Sequence, residues 1–161
     1  MNGATPPRDV LALLGFTAAC LAVAGVGGAV TALSVDDWYR ELTKPPFNPP
    51  DWVFAPVWTA LYLLMAIAAW RVWRYRHYPG RRPALVLFAI QLALNLLWSC
   101  LFFGLGAVGV ALVEIVALWA AILATAAKFV RIDLAAGWLM APYAGWVSFA
   151  TVLNAAIWWL N

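Results

Sequence analysis

Histidine, cysteine and charge are all scarce in this chain. Its 161 residues include one histidine, two cysteines, 7 acidic and 10 basic side chains, so charged residues make up only 11%. So little charge rules out a disordered tail and a nucleic-acid reader, both of which are polar and charge-rich. His77 stands among Arg74, Tyr75 and Arg76 with no carboxylate close in sequence, which argues against a histidine-based nucleophile or metal site. Cys20 and Cys100 fall in separate apolar stretches at depths about 9 Å apart at 1.5 Å per helical residue. That separation argues against a disulfide, and no metal-ligand spacing is present. Gly25, Gly27 and Gly28 lie inside an apolar run rather than between a strand and a helix, so they do not form a phosphate cradle.

What is abundant points to lipid as the solvent. Hydrophobic residues reach 66%, with 11 tryptophans and a mean hydropathy of +0.86, whereas soluble domains carry roughly 45–50% apolar residues. One helix crosses a bilayer in about 20 residues, so this length permits at most about seven crossings and leaves no room for a separate soluble domain. A single domain spanning residues 1–161 is expected.

Five apolar stretches stand out, at residues 10–33, 52–70, 84–103, 105–127 and 134–160. Each is long enough to cross about 30 Å of hydrocarbon as a helix and too long for a barrel strand. The expected fold is an all-α integral membrane protein, a single bundle of five transmembrane helices. The first stretch exceeds the h-region of a signal peptide and reads as helix one. Pro56 and Pro142 fall inside two stretches, where neighbouring helices can satisfy the freed backbone groups.

Five crossings put Arg8, the loop at 71–83 and the loop at 128–133 on one face. That face gathers Arg8, Arg71, Arg74, Arg76, Arg81, Arg82, Lys128 and Arg131, against Arg40 and Lys44 on the other. The positive-inside rule then makes the protein multi-pass with its N-terminus cytoplasmic, for a bacterial inner membrane. Trp38, Trp52, Trp70, Trp73, Trp138, Trp158 and Trp159 fall near the expected helix ends, where indoles favour the headgroup level. Trp98 is intermediate, and Trp58, Trp119 and Trp146 lie well inside.

On the basic-poor side, residues 34–51 form the one long connection. Asp36 or Asp37 can cap a short helical turn through Leu42, after which Pro45, Pro46, Pro49 and Pro50 impose an extended path. Such a stiff, aromatic loop suits a lid over a pocket or a rigid connector in the headgroups.

Gln91, Asn95, Trp98 and Phe102 share one face of the third helix. Tyr143, Trp146 or Val147, Ala150 and Asn154 line a face of the fifth, and Trp58, Tyr62 and Met65 a face of the second. Polar groups at such depth point inward, to helix partners or to a ligand. Facing one another under the lid, the three stripes either enclose a mostly apolar cavity with a few polar anchors or pack as plain core. Ala24 with Gly28, Gly25 with Ala29, Ala117 with Ala121 and Ala141 with Gly145 permit close helix approach. Glu114, the one acidic residue within a span, must be paired, protonated or wetted, and proton-coupled export of amphipathic cations is one use for it.

Several motifs resemble one family. Trp38-Tyr39-x-x-Leu42-x-Lys44-Pro45-x-x-x-Pro49-Pro50, Pro56-Val57-Trp58-x-x-Leu61-Tyr62 and Gln91-Leu92-Ala93-Leu94-Asn95-x-x-Trp98 are joined by Phe102-Phe103-Gly104 and Pro142-Tyr143-x-x-Trp146-x-x-Phe149-Ala150-Thr151-x-Leu153-Asn154. Together they resemble the translocator protein family, also called tryptophan-rich sensory protein or peripheral-type benzodiazepine receptor, in a bacterial-type member. The resemblance implies a homodimer that binds porphyrins, sterol-like lipids and benzodiazepine-type drugs in a pocket closed by the first loop. It places ligand contacts on Tyr39, Pro49, Trp58, Asn95, Trp146, Ala150 and Leu153, to which the stripes add Tyr62, Trp98 and Asn154. Trp58 and Trp146 match the tryptophans linked in some members to light-dependent porphyrin breakdown. The sterol pattern that some members carry at the end of helix five needs a Tyr and a following basic residue, where this sequence has Ala155-Ala156-Ile157-Trp158-Trp159, which favours a tetrapyrrole.

The expected function is therefore that of a membrane receptor or carrier for porphyrins and related hydrophobic ligands, in transport or stress signalling. Expected partners are the bilayer, the small ligand and a second copy, with no nucleic acid. No resident cofactor or metal is expected; a haem-type tetrapyrrole is the ligand. The alternatives are a light-dependent porphyrin-degrading enzyme with Trp58 and Trp146 as redox partners, and the exporter built on Glu114.

Overall fold

In hydrocarbon every backbone N–H and C=O must find a partner within the protein, and for a continuous apolar run the helix is the local solution. The computed structural model describes residues 7–35 and 38–161, and these are helical throughout their apolar stretches, with no strand among them. The elements are α1 (Pro7–Val35), α2 (Trp38–Glu41), α3 (Asp51–Arg74), α4 (Arg81–Ser99) continuing into a π turn (Cys100–Gly104), α5 (Val108–Ile132), α6 (Leu134–Leu139) and α7 (Ala141–Leu160). The expected cap at Asp36 or Asp37 lies outside the described residues.

Among the described residues four helices, α1, α3, α4 with its π turn, and α5, are long and apolar enough to span a membrane. The 20-residue α7, which carries Ser148 and Asn154 along its length, is not among those four. The chain is an all-α, multi-pass membrane protein. Long apolar side chains such as Leu11, Leu14, Leu33 and Val113 are exposed on its outside, the arrangement lipid permits and water penalises.

Several boundaries differ from the sequence expectation. The segment 134–160 is not one helix: it breaks at Met140, and Pro142 sits at the start of α7, where a missing N–H costs nothing. Residues 128–132 are not a loop, because α5 runs on to Ile132 and carries Lys128 and Arg131. The loop at 71–83 shrinks likewise, with Arg71 and Arg74 in the last turn of α3, where cations complement the helix dipole.

Packing is mainly between sequence neighbours: α1 on α3, α4 on α5, and α5 on both α6 and α7. One end of the bundle is tied by charge. The carboxylate of Asp9 on α1 pairs with Arg76 and, at 3.7 Å, with Arg74, while Arg71 meets Asp133 at 2.9 Å. Burial pushes the Asp133 carboxyl up, but the Ala136 N–H and Arg71 outweigh it and hold the group below the usual carboxylate range. Trp70 does not sit free at the interface, since its Nε1 donates to the Asp9 carbonyl at 2.7 Å.

The other end is tied by the π turn. There the N–H of Leu105 reaches the carbonyl of Cys100 at 2.9 Å and that of Ala107 reaches Leu101, a looser winding that ends at Gly106 with φ +62°. The loosening frees the Phe103 carbonyl from the helix ladder. Ser34 Oγ and Trp38 Nε1 both donate to it, at 2.6 and 3.1 Å, so the end of α1 and the start of α2 are fastened to α4. Single π turns of this kind recur at functional sites.

Candidate functional site

Tyr39 is carried by α2 and pressed into the bundle, 4% exposed, with its ring 6.1 Å from Phe102 and 5.4 Å from Phe103. Lys44 Nζ lies 4.2 Å from the same ring centre. Burial, reinforced by the negative charge of Asp51, pushes the Tyr39 hydroxyl up to about 12, so it stays a neutral donor across the physiological range. Tyr39 is the tooth by which the loop engages the helices.

Beneath it the three expected stripes do face one another. Trp58 on α3 lies 5.7 Å from Tyr62, 6.3 Å from Tyr143 and 6.4 Å from Trp146, the last nearly perpendicular at 85°. Trp146 continues the wall to Phe54 and Phe149, and Phe149 meets Phe47 of the loop. On the opposite wall Trp98 stacks on Phe102 at 5.2 Å. Edge-to-face and offset pairs such as these contribute about 0.5–1.5 kcal/mol each beyond area burial.

Two adjoining spaces result. A small cavity of about 40 Å³ lies between Tyr39, Trp58, Trp98, Trp146, Ala150, Leu153 and Asn154. Beside it runs a groove of about 510 Å³ that shares Tyr39, Phe54, Trp58, Trp98 and Phe103, adds Tyr62 and Asn95, and is bounded by Gly27, Gly28 and Thr31 of α1. Small-molecule sites usually occupy about 300–1,000 Å³, so the groove has the size of a site and the inner cavity alone does not. Among the expected contact residues, only Pro49 lies off both walls; its carbonyl accepts from Asn48 Nδ2 at 3.1 Å within the loop.

The amides of the stripes are committed to the bundle. Asn95, 1% exposed, accepts from the Tyr62 hydroxyl through Oδ1 and donates through Nδ2 to the Tyr143 hydroxyl at 2.9 Å, joining α3, α4 and α7. Asn154 accepts from Trp98 Nε1 at 3.1 Å and donates to the Val108 carbonyl at 2.9 Å, joining α4, α7 and α5. Both functional groups of each amide are engaged, so neither is an idle anchor awaiting a ligand. Trp119, left unexplained by depth alone, is on the outer face with its Nε1 donating to Ser148 Oγ at 2.8 Å. Both carboxyl oxygens of Glu114 are buried without a hydrogen-bond partner among the described residues.

Phe103 and Phe149 belong to the quoted motifs but not to the expected contacts, and Phe54 is in neither, although it stands one helical turn before Trp58 and so shares its face. Asn161 gave no signal at all. At the end of α7 its Oδ1 accepts from the Thr43 N–H at 2.9 Å and its Nδ2 donates to the Thr43 carbonyl at 3.1 Å, latching the loop to the bundle. Replacing Asn161 with alanine removes both hydrogen bonds to the loop, worth about 0.5–1.5 kcal/mol each, together with the one from Nδ2 to the Ile157 carbonyl. The amides of Leu42, Thr43, Lys44, Phe47 and Asn48 are expected to exchange about tenfold faster in hydrogen–deuterium exchange, with the helices unchanged.

A helical membrane protein with an aromatic intrabundle cavity beneath a latched loop is the class that fold and site define. Residues 16–160 match the TspO/MBR family, and the chain belongs to that family. It is 42% identical to the "Tryptophan-rich protein TspO" of Chlorobaculum tepidum, over 96% of this chain and 98% of that one. It is also 42% identical to the "Tryptophan-rich sensory protein" of Cereibacter sphaeroides over 91% of this chain and 89% of that one. With the "Translocator protein" of Bos taurus identity is 37%, over 75% of this chain and 73% of the relative.

Proposed function

We propose that this protein is a membrane receptor or carrier for a planar hydrophobic ligand, a porphyrin foremost, held against Trp58 and Trp146. The observation that carries the reading is the pair of indoles at 6.4 Å, one of which also walls a groove large enough for a ligand. A macrocycle offers two π faces and an apolar rim, which an aromatic wall recognises by stacking and area burial. Because the inner cavity measures only about 40 Å³, the ligand occupies the groove and reaches Trp146 by displacing side chains between them. The family relatives named for sensing and translocation are consistent with either a signalling or a carrier role.

In this reading α7 is a fifth span, its 20 residues being about 30 Å long with exposed Trp158 and Trp159 at the far end as interface anchors. The arginine-rich end bearing Asp9 then faces the cytoplasm. Titration of the purified protein with protoporphyrin, followed by tryptophan fluorescence, tests the site. Saturable quenching is expected in the wild type and at least a tenfold weaker affinity in the Trp58→Phe, Trp146→Phe double variant. Equal quenching in both would refute the assignment.

A further inference from the structure

A second groove, of about 770 Å³, runs along the outside of α1 and has two chemistries. Its long wall is apolar, formed by Leu11, Gly15, Phe16 and Ala19. Its head is cationic, formed by Arg8, Arg76 and Arg81 around the Trp73 ring. Arg76 is oriented by Asp9 and by the Trp73 ring 5.0 Å away, and Arg81 Nη1 donates to the Trp73 carbonyl at 3.1 Å. A guanidinium has five N–H donors, so these contacts aim the two forks and leave donors unspent. Arg8 pairs with nothing among the described residues. Asp9 is already shared by Arg76 and Arg74, and Asp133 is met by Arg71, so positive charge is in excess at the head.

The length of the apolar wall is informative. From Leu11 to Ala19 is about 12 Å along the helix, close to the depth of one leaflet's hydrocarbon, with the arginines at its outer edge. A Cβ on Gly15 would meet nothing within 4 Å, so the wall is open at its middle. A second copy docked here about a twofold axis would set this arginine cluster against itself, which like-charge repulsion opposes.

We propose that this groove seats one anionic phospholipid of the surrounding bilayer, its phosphate between Arg8, Arg76 and Arg81 and an acyl chain along α1 from Leu11 to Ala19. The arginine forks hold the phosphate that every phospholipid carries, and the excess positive charge around it supplies the selectivity, because it favours a net anionic headgroup and repels the choline cation of a zwitterionic one.

Native mass spectrometry of the full chain, delipidated and then offered equal phosphatidylglycerol and phosphatidylcholine, tests the proposal. One retained phosphatidylglycerol, preferred about tenfold, is expected for the wild type. Arg8→Gln should lower that preference about fivefold, the effect of one basic side chain near an anionic surface. Arg8→Lys should retain most of it, and Gly15→Phe should reduce retention of the lipid while leaving protoporphyrin binding and the thermal midpoint intact. Equal retention of the two lipids overturns the proposal, as does a preference that survives both Arg8→Gln and Gly15→Phe. Disulfide cross-linking of two Gly15→Cys chains that excludes the lipid would assign the groove to a second copy instead.

Discussion

Replacing Asn95 with alanine is expected to destabilise the bundle by about 3 kcal/mol, read as a lower midpoint in thermal or dodecyl sulfate denaturation of the purified protein. The amide is the hub between the Tyr62 hydroxyl on α3 and the Tyr143 hydroxyl on α7, and all three side chains are buried. Truncation removes the acceptor of the Tyr62 hydroxyl and the donor to the Tyr143 hydroxyl. Each stranded group costs about 1–3 kcal/mol in a protein interior, and somewhat less in a bilayer, where unfolded helices also find partners. The void left by the amide adds to the loss. This outcome separates two roles of Asn95. A ligand anchor would lose porphyrin affinity with stability unchanged, whereas a hub loses stability first; an unaltered midpoint in Asn95→Ala would remove the hub.

The second large effect is expected at Gly137, where alanine should cost about 3 kcal/mol by the same measurement. A Cβ there would stand 2.1 Å from Val130 Cγ2, 2.9 Å from the Val130 nitrogen and 3.0 Å from its Cα. The methyl can rotate away, but the backbone of α5 cannot without moving α6, which is fixed to it through Asp133. The Asp133 carboxylate accepts from Ala136 N at 3.1 Å and is paired with Arg71. Adding Val130→Ala to Gly137→Ala should therefore restore only part of the stability, because the side-chain clash is relieved and the backbone clash remains. Complete restoration would show that the close approach of α5 and α6 is not rigid.

These two positions show how differently the sequence speaks about neighbouring questions. The Asn95 stripe was legible because helical periodicity is local: residues 91, 95, 98 and 102 share a face wherever the helix lies. Whether the amide serves a ligand or another helix depends on Tyr62 and Tyr143, 33 and 48 residues away, and periodicity carries no information about partners at that distance. Gly137 gave no signal, since its constraint is a close approach by a different helix. The expected interfacial tryptophans divide in the same way. Trp52, Trp138, Trp158 and Trp159 are exposed near helix ends, while Trp38 and Trp70 turn inward to donate to backbone carbonyls. Position along a helix was readable, but the direction of the indole was not.

The candidate site follows the same division. Its aromatic members were visible as stripes, and nearly all of the expected residues line one of two adjoining spaces. Their apportioning between a small cavity and a larger groove arises from side-chain packing, and so is not visible in the sequence. The π turn that frees the Phe103 carbonyl and the Asn161 latch on Thr43 belong to the same category.

By itself the sequence determined the solvent, the helical class, the gathering of positive charge and the aromatic faces, because composition and a 3.6-residue period act within single segments. The tertiary structure alone decided where the last apolar stretch breaks, which amides bind helix to helix, how the loop is held and how much space remains between the aromatic walls. Those properties depend on pairs of atoms brought together across the bundle, and the free energy of such pairs is set by distances that no single segment encodes.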